Sequence, residues 1–196
     1  MLKPNSILIL VCFFIYTGCK IADVKNVPEA GDNLGFEFVK DGIPANWMFL
    51  KSEFIAKKCP PNQAVPSYDF TSDSETAHEG KRSLKITVRE IESNGYNHFY
   101  PSFFNEYVKV PGQKYRITFW VKSDGARFDA VASCVTINDP QPCPVTIVNG
   151  GGVLSGWTQY SIDKEICAGM PRLKVEIRPK TKGTLWFDDF KIEEIR

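Results

Sequence analysis

Three features of the sequence predict an all-β protein built as an antiparallel β-sandwich. Apolar and polar residues alternate in short runs; Gly, Pro, Asn and Asp punctuate those runs every ten to fifteen residues or so; and no stretch sustains a helical period. A parallel sheet would need crossover helices, which leaves the antiparallel arrangement.

The strands can be read in order. Ser83–Ile91 puts Leu84, Ile86 and Val88 on one face and Lys85, Thr87 and Arg89 on the other, the pattern of a strand with one buried side. After a turn at Pro111-Gly112, Lys114–Lys122 sends Tyr115, Ile117, Phe119 and Val121 inward and Arg116, Thr118, Trp120 and Lys122 outward. Leu173, Val175 and Ile177 alternate with Arg172, Lys174, Glu176 and Arg178, and Thr184–Ile195 closes the chain after Lys182-Gly183. In that last run Asp188 shares its phase with Trp186, Phe190 and Ile192, so a core made of those residues would enclose a carboxylate.

Composition bounds the function. Lys+Arg 24 against Asp+Glu 23 gives a net charge of +1, which provides no field for holding nucleic acid by its phosphates. Hydrophobic content of 43% and mean hydropathy of -0.22 fit a globular domain and exclude both disorder and a multi-span membrane protein. Aromatics make up 13% of the chain, more than one core needs, so some rings are expected to have another role.

The N-terminus is an address. Lys3 precedes the apolar run Ile7–Tyr16, which is too short for the ~20 residues of a membrane-spanning helix and has the form of a secretion signal. Thr17-Gly18-Cys19 resembles the lipobox of bacterial lipoproteins, which implies cleavage before Cys19, its lipidation, and a protein anchored in the cell envelope, facing either the periplasm or the medium. Removing residues 1–18 takes away Lys3 alone, so 24 basic residues become 23 against 23 acidic ones, and contact with the membrane is through the lipid only. Residues 19–33, with Pro28 and Gly31, read as a tether, and residues 34–196 as the sandwich, expected to be monomeric.

Without Cys12 and Cys19, the mature chain keeps Cys59, Cys134, Cys143 and Cys167 in an oxidising compartment. Three pairings are possible. Cys134 and Cys143 flank a reversal containing Asn138, Asp139, Pro140 and Pro142, so a disulfide across that hairpin is expected, leaving Cys59 for Cys167; four unpaired thiols are the alternative. The spacing does not suit zinc.

Several segments together resemble jelly-roll carbohydrate-binding modules with a galactose-binding-like β-sandwich of the xylan- and cellulose-binding type. They are Asn33-Leu34-Gly35-Phe36-Glu37, Gly42-Ile43-Pro44 with Trp47, Gly80–Ile86, Val110–Ser123, Gly156–Tyr160 and Gly183–Phe190, covering nearly all of residues 33–196. The resemblance implies a structural calcium ion held by Glu37, the Lys81 carbonyl and Asp188, with Asp189 as the alternative acid; oxygen ligands of this kind suit Ca²⁺. A capping Asp bonded to backbone N–H groups is the other reading of Asp188.

Sugar binding needs flat apolar surfaces beside hydrogen-bonding groups. Trp120 with Arg116, and the run Tyr96, Asn97, His98 and Tyr100 beside Arg89, supply both and are the expected groove; Trp47, Trp157 and Trp186 are assigned to packing. Glycoside hydrolase or polysaccharide lyase activity is the competing class, since other jelly rolls carry it. Glu90 and Glu92 lie about 7 Å apart on one strand face, within the range of a glycosidase pair, but the sequence has no G-x-S-x-G or H-E-x-x-H, and only His78 and His98 as histidines. Gly150-Gly151-Gly152 opens no helix that would cradle phosphate. An architectural or protein-binding lipoprotein is the third reading, favoured if the outward aromatics prove covered. Mass spectrometry of the mature N-terminus should find diacylglycerol on Cys19, and an unmodified start further downstream would refute the anchor.

Overall fold

The computed structural model describes residues 23–24, 27–51, 66–91, 101–135 and 143–196. Its strands are β1 (Asp23–Val24), β2 (Val39–Lys40), β3 (Ile43–Pro44), β4 (Met48–Leu50), β5 (Ser67–Asp73), β6 (Ser83–Glu90), β7 (Ser102–Val108), β8 (Lys114–Val135), β9 (Thr146–Val153), β10 (Thr158–Glu165), β11 (Arg172–Pro179) and β12 (Gly183–Ile195), with a single 3-10 turn at Pro28–Ala30. All pairings are antiparallel. The architecture is the expected jelly-roll sandwich.

β8, 22 residues long, belongs to both layers. Its first half pairs with β10 and β12, and β12 continues to β6 and β5, making the front sheet. Its second half pairs with β9 and β11, and β11 continues through β7 and β4 to β1, making the back sheet. Both layers lose register at the corner, between Asp124 and Arg127 against β9 and between Thr184 and Leu185 against β12. Gly183 makes the corner possible. It has φ +128, and a Cβ there would lie 2.6 Å from the Asp124 carbonyl oxygen and 2.7 Å from the Ala126 nitrogen.

The alternation read from sequence fills the space between the layers. Leu84, Ile86, Val88, Tyr115, Ile117, Phe119, Val121, Leu173, Val175 and Ile177 are all buried. Rings join the sheets: Phe103 meets Phe187 at 5.2 Å and Phe119 meets Phe128 at 6.1 Å, while Trp47, 0% exposed, packs on Phe36 and Phe190 at 5.2 Å. Burying each such side chain contributes roughly 1.5–3 kcal/mol.

Three expectations need correction. In β12 the inward residues are Leu185 and Phe187, and Trp186 faces outward. A bulge at Asp189, φ 49, then shifts the phase so that Phe190 returns to the core. Asp188 therefore lies on the outer face of the front sheet. Second, the N-terminal stretch is attached to the sandwich: β1 pairs with β4, and Asn46 accepts the Val27 N–H at 2.7 Å while donating to the carbonyls of Val27 and Gly31 at 2.8 and 2.7 Å. Third, the disulfide joins Cys143 to Cys167, and Cys134 is a free thiol. With Thr146 opposite Ala132, continuing the register would put Pro144 rather than Cys143 across from Cys134. The fold of β8 instead brings the β10–β11 connection, carrying Cys167, to the same end of the sandwich. Cys59 and Cys19 lie outside the described residues.

Gly183→Ala should destabilise the protein by about 3 kcal/mol, since it combines a disallowed φ with a clash against backbone atoms. Thermal or denaturant unfolding measures this, and a change below half a kilocalorie would show that the corner is not the constraint described.

Candidate functional site

Of the residues expected to form one groove, the described ones, Arg89, Arg116 and Trp120, do not converge. Arg116 and Trp120 share the outer face of β8, while Arg89 lies two strands away near the opposite end of the front sheet, about 30 Å from Arg116 along the strand direction. Tyr96, Asn97, His98 and Tyr100 lie outside the described residues. Arg116 is held by Asp163 through Nε at 2.8 Å and Nη2 at 2.9 Å. Arg89 pairs with Asp69, and both line a cavity of about 440 Å³ with Lys51, Tyr68, Phe70 and Thr71.

Trp120 is half-buried, not an open platform. The segment between β5 and β6 folds over the outer face of the front sheet, and the His78 ring lies on the indole with centroids 4.0 Å apart and planes 16° apart. Trp157 meets His78 edge-on at 5.7 Å. Trp186 is also on this face, between the ammonium groups of Lys85 and Lys122 and with its Nε1 donating to Asp73 at 2.8 Å.

That overlying segment is fastened by carboxylates. Asp188, 1% exposed, accepts the backbone N–H of His78 at 2.8 Å and of Glu79 at 3.3 Å on Oδ2, and that of Asp189 at 2.8 Å on Oδ1. Glu37 Oε1 accepts from Lys81 at 2.9 Å and Arg82 at 3.1 Å. Gly80, φ +66, allows this approach, because a Cβ there would overlap the Glu37 carboxylate. Burial pushes the Asp188 carboxyl up to about 6; the backbone donors oppose the rise and the Asp189 charge adds to it. The donor set named by the resemblance is chemically suited to a hard cation, and Asp188 carries a buried charge that a cation would offset. The backbone N–H groups already give the same carboxylates a capping role.

The outer face of the back sheet is built differently. Pairing places Met48 beside Phe104, Phe104 beside Glu176, Glu176 beside Val131, and Val131 beside Ile147. These five form one row across five strands, about 19 Å long at the usual strand spacing. Val131 and Glu176 are recessed, with Glu176 only 8% exposed. Polar residues flank the row on both sides, Lys174 and Glu106 on one and Arg178, Asp129 and Asn149 on the other. Glu176 Oε2 is 2.8 Å from Arg178 Nη2 and 3.1 Å from Lys174 Nζ, and Lys174 lies over the Phe104 ring at 4.2 Å. Burial alone would raise the Glu176 carboxyl, but the Arg178 hydrogen bond and the two cations hold it below the usual glutamate range. Of this row the alternation in the sequence picks out Glu176 alone, as an outward residue of its strand. The signal available was a carboxylate with a cation two residues to either side on one strand face.

No model of a protein family matches this sequence, nor does any curated protein. Solved structures do share its fold. The CBM22-1 xylan-binding domain of Paenibacillus barcinonensis Xyn10C is 15% identical, with 83% of this chain and 92% of that one covered and a TM-score of 0.54. A CBM4 structure is 15% identical, covering 83% and 98%, with a TM-score of 0.56. TmCBM61, solved with β-1,4-galactotriose, is 19% identical, covering 83% and 96%, with a TM-score of 0.51. The enzymatically active domain of Bacteriophage CBA120 tailspike protein 4 is 13% identical at a TM-score of 0.56, over 83% of this chain and 22% of that one. The chain thus has the jelly-roll fold of carbohydrate-binding modules.

Because the folded Asp188 carboxyl is raised from 3.8 to about 6, its contribution to stability is fully present below the lower value and lost as pH rises through the upper one. In EDTA, the stability of Asp188→Asn relative to the parent should therefore become more favourable by about 2 kcal/mol between pH 4 and pH 7. A difference independent of pH would contradict the burial argument.

Proposed function

We propose that this chain binds a polysaccharide or oligosaccharide without cleaving it, and that the sugar lies along the outer face of the back sheet. The observation that carries the reading is the cross-sheet row Met48–Phe104–Glu176–Val131–Ile147 between two polar rows. Apolar side chains suit the C–H faces of pyranose rings, and charged and amide groups on both sides suit the hydroxyl edges. The fold supports this reading, because the xylan-binding domain and the galactotriose complex share it.

At the proposed site the ion pairing of the acids favours binding without cleavage. A glycosidase needs a carboxyl group that retains its proton to protonate the leaving oxygen. Glu176 is held ionised by its two cations, Glu106 and Asp129 pair with Arg172 and Lys180 at 3.4 and 3.3 Å, and Glu90 pairs with Lys182 at 3.3 Å. Glu92 lies outside the described residues.

The chain acts as a monomer in the bacterial envelope, anchored through Cys19 and facing the periplasm or the medium. Glu37, the Lys81 carbonyl and Asp188 would hold a calcium ion, which would pin the segment over Trp120 to β12 without entering the sugar site. With calcium in place of EDTA, the melting temperature at pH 7 should rise and the pH dependence assigned to Asp188 should vanish; no change would leave these carboxylates as caps.

The glycan site is tested by affinity electrophoresis and calorimetry with xylan, cellulose and β-1,4-galactan oligosaccharides. Phe104→Ala and Lys174→Ala should each weaken binding about tenfold or more, while Trp120→Ala should lower stability and leave affinity nearly unchanged. Loss of binding in Trp120→Ala with stability intact would move the site to the front sheet. Release of reducing ends or unsaturated products would make the chain an enzyme.

A further inference from the structure

The end of the sandwich where the two ends of β8 come together holds three sulfurs and a lysine. The Sγ atoms of Cys134, Cys143 and Cys167 all lie within 4.8 Å of one another. Cys143 and Cys167 are bonded, so the third sulfur is left over. Cys134 Sγ is positioned against Cys167: it accepts the Cys167 backbone N–H at 3.3 Å and is 3.7 Å from the Glu165 carbonyl. Lys164 continues the inward phase of Ile162 and Ile166 and is 4% exposed. Its Nζ is 3.5 Å from Cys143 Sγ and 3.9 Å from Cys167 Sγ, and no carboxylate among the described residues pairs with it. Its amino group is therefore placed to donate to a sulfur of this disulfide when the bond opens.

We propose that Cys134, Cys143 and Cys167 form an exchange-active centre in which Cys134 displaces Cys143 from the disulfide and Lys164 stabilises the thiolate released. Cys134 gives its proton to solvent, and its sulfur attacks Cys167 Sγ. The Cys134–Cys167 bond forms as the Cys143–Cys167 bond breaks, and the electron pair leaves on Cys143 beside the ammonium. One disulfide is lost and one gained, so no oxidant or reductant is needed. Cys143 is the favoured leaving sulfur because it lies closer to Lys164 than Cys167 does. The exchange keeps the end of β8 tied to the β10–β11 connection while releasing the stretch that leads into β9. It also turns Cys143, partly exposed at that edge, into a site for alkylation or for exchange with small disulfides, which forms a mixed disulfide and releases the small thiolate.

The test is trapping with N-ethylmaleimide at pH 7.5 on the folded full chain, followed by acid quenching and peptide mapping without reduction. The label should accumulate on Cys143, with a Cys134–Cys167 disulfide in the same molecules. Label confined to Cys134 or appearing on Cys167, or a Cys134–Cys59 disulfide in the chain as isolated, would overturn the proposal. Cys134→Ser, which retains the Cys143–Cys167 disulfide, must show no label on Cys143, and label there would overturn it equally. Lys164→Gln should slow labelling of Cys143 about tenfold and Lys164→Arg should restore most of the rate; equal rates in all three would remove Lys164 from the mechanism.

Discussion

The shared strand β8 is the constraint on which the rest of the molecule depends. Hydrogen-bonded to β10 and β12 in one half and to β9 and β11 in the other, it fixes the spacing and relative direction of the two layers before any side chain packs. The aromatic contacts between Phe103 and Phe187 and between Phe119 and Phe128 then fill a gap whose dimensions are already set. The bend also brings residues at opposite ends of β8 to the same end of the sandwich, which is why the end of β8 meets Cys167 of the β10–β11 connection.

The two outer faces have been put to different uses. On the front sheet, a loop closes over Trp120 and is held by Glu37, Asp73 and Asp188 through backbone N–H groups, so rings and acids there are spent on fastening. On the back sheet no described loop covers the central row, and its charges neutralise one another within the sheet. Side chains of similar chemistry thus fasten a loop on one face and pair with one another on the other, and the difference comes from the described segment that crosses the first.

Much of the fold was legible because period-two alternation is a local signal, and it runs unbroken through Leu84–Val88 of β6 and Tyr115–Val121 of β8. The bulge at Asp189 was not, because a one-residue shift in phase leaves no trace in composition. The disulfide was misread for a related reason: proximity along the chain favoured Cys134 with Cys143, whereas the pairing is decided by how β8 folds back. The site was the least legible part. Trp120 and Glu176 both stand in outward phase, and only the three-dimensional path of the intervening segments shows that the indole lies under His78 while the carboxylate sits at the centre of a sheet.

The clasp that Asn46 makes on the N-terminal stretch has a mechanical meaning. Its side chain grips the backbone at Val27 and Gly31 by three hydrogen bonds, and β1 adds a short ladder to β4 at the sheet edge. Tension applied at the N-terminal end of the chain must break this small polar grip before any load reaches the aromatic interior. The clasp is thus the first set of bonds loaded when that end of the chain is pulled, and it can yield while the aromatic interior stays intact.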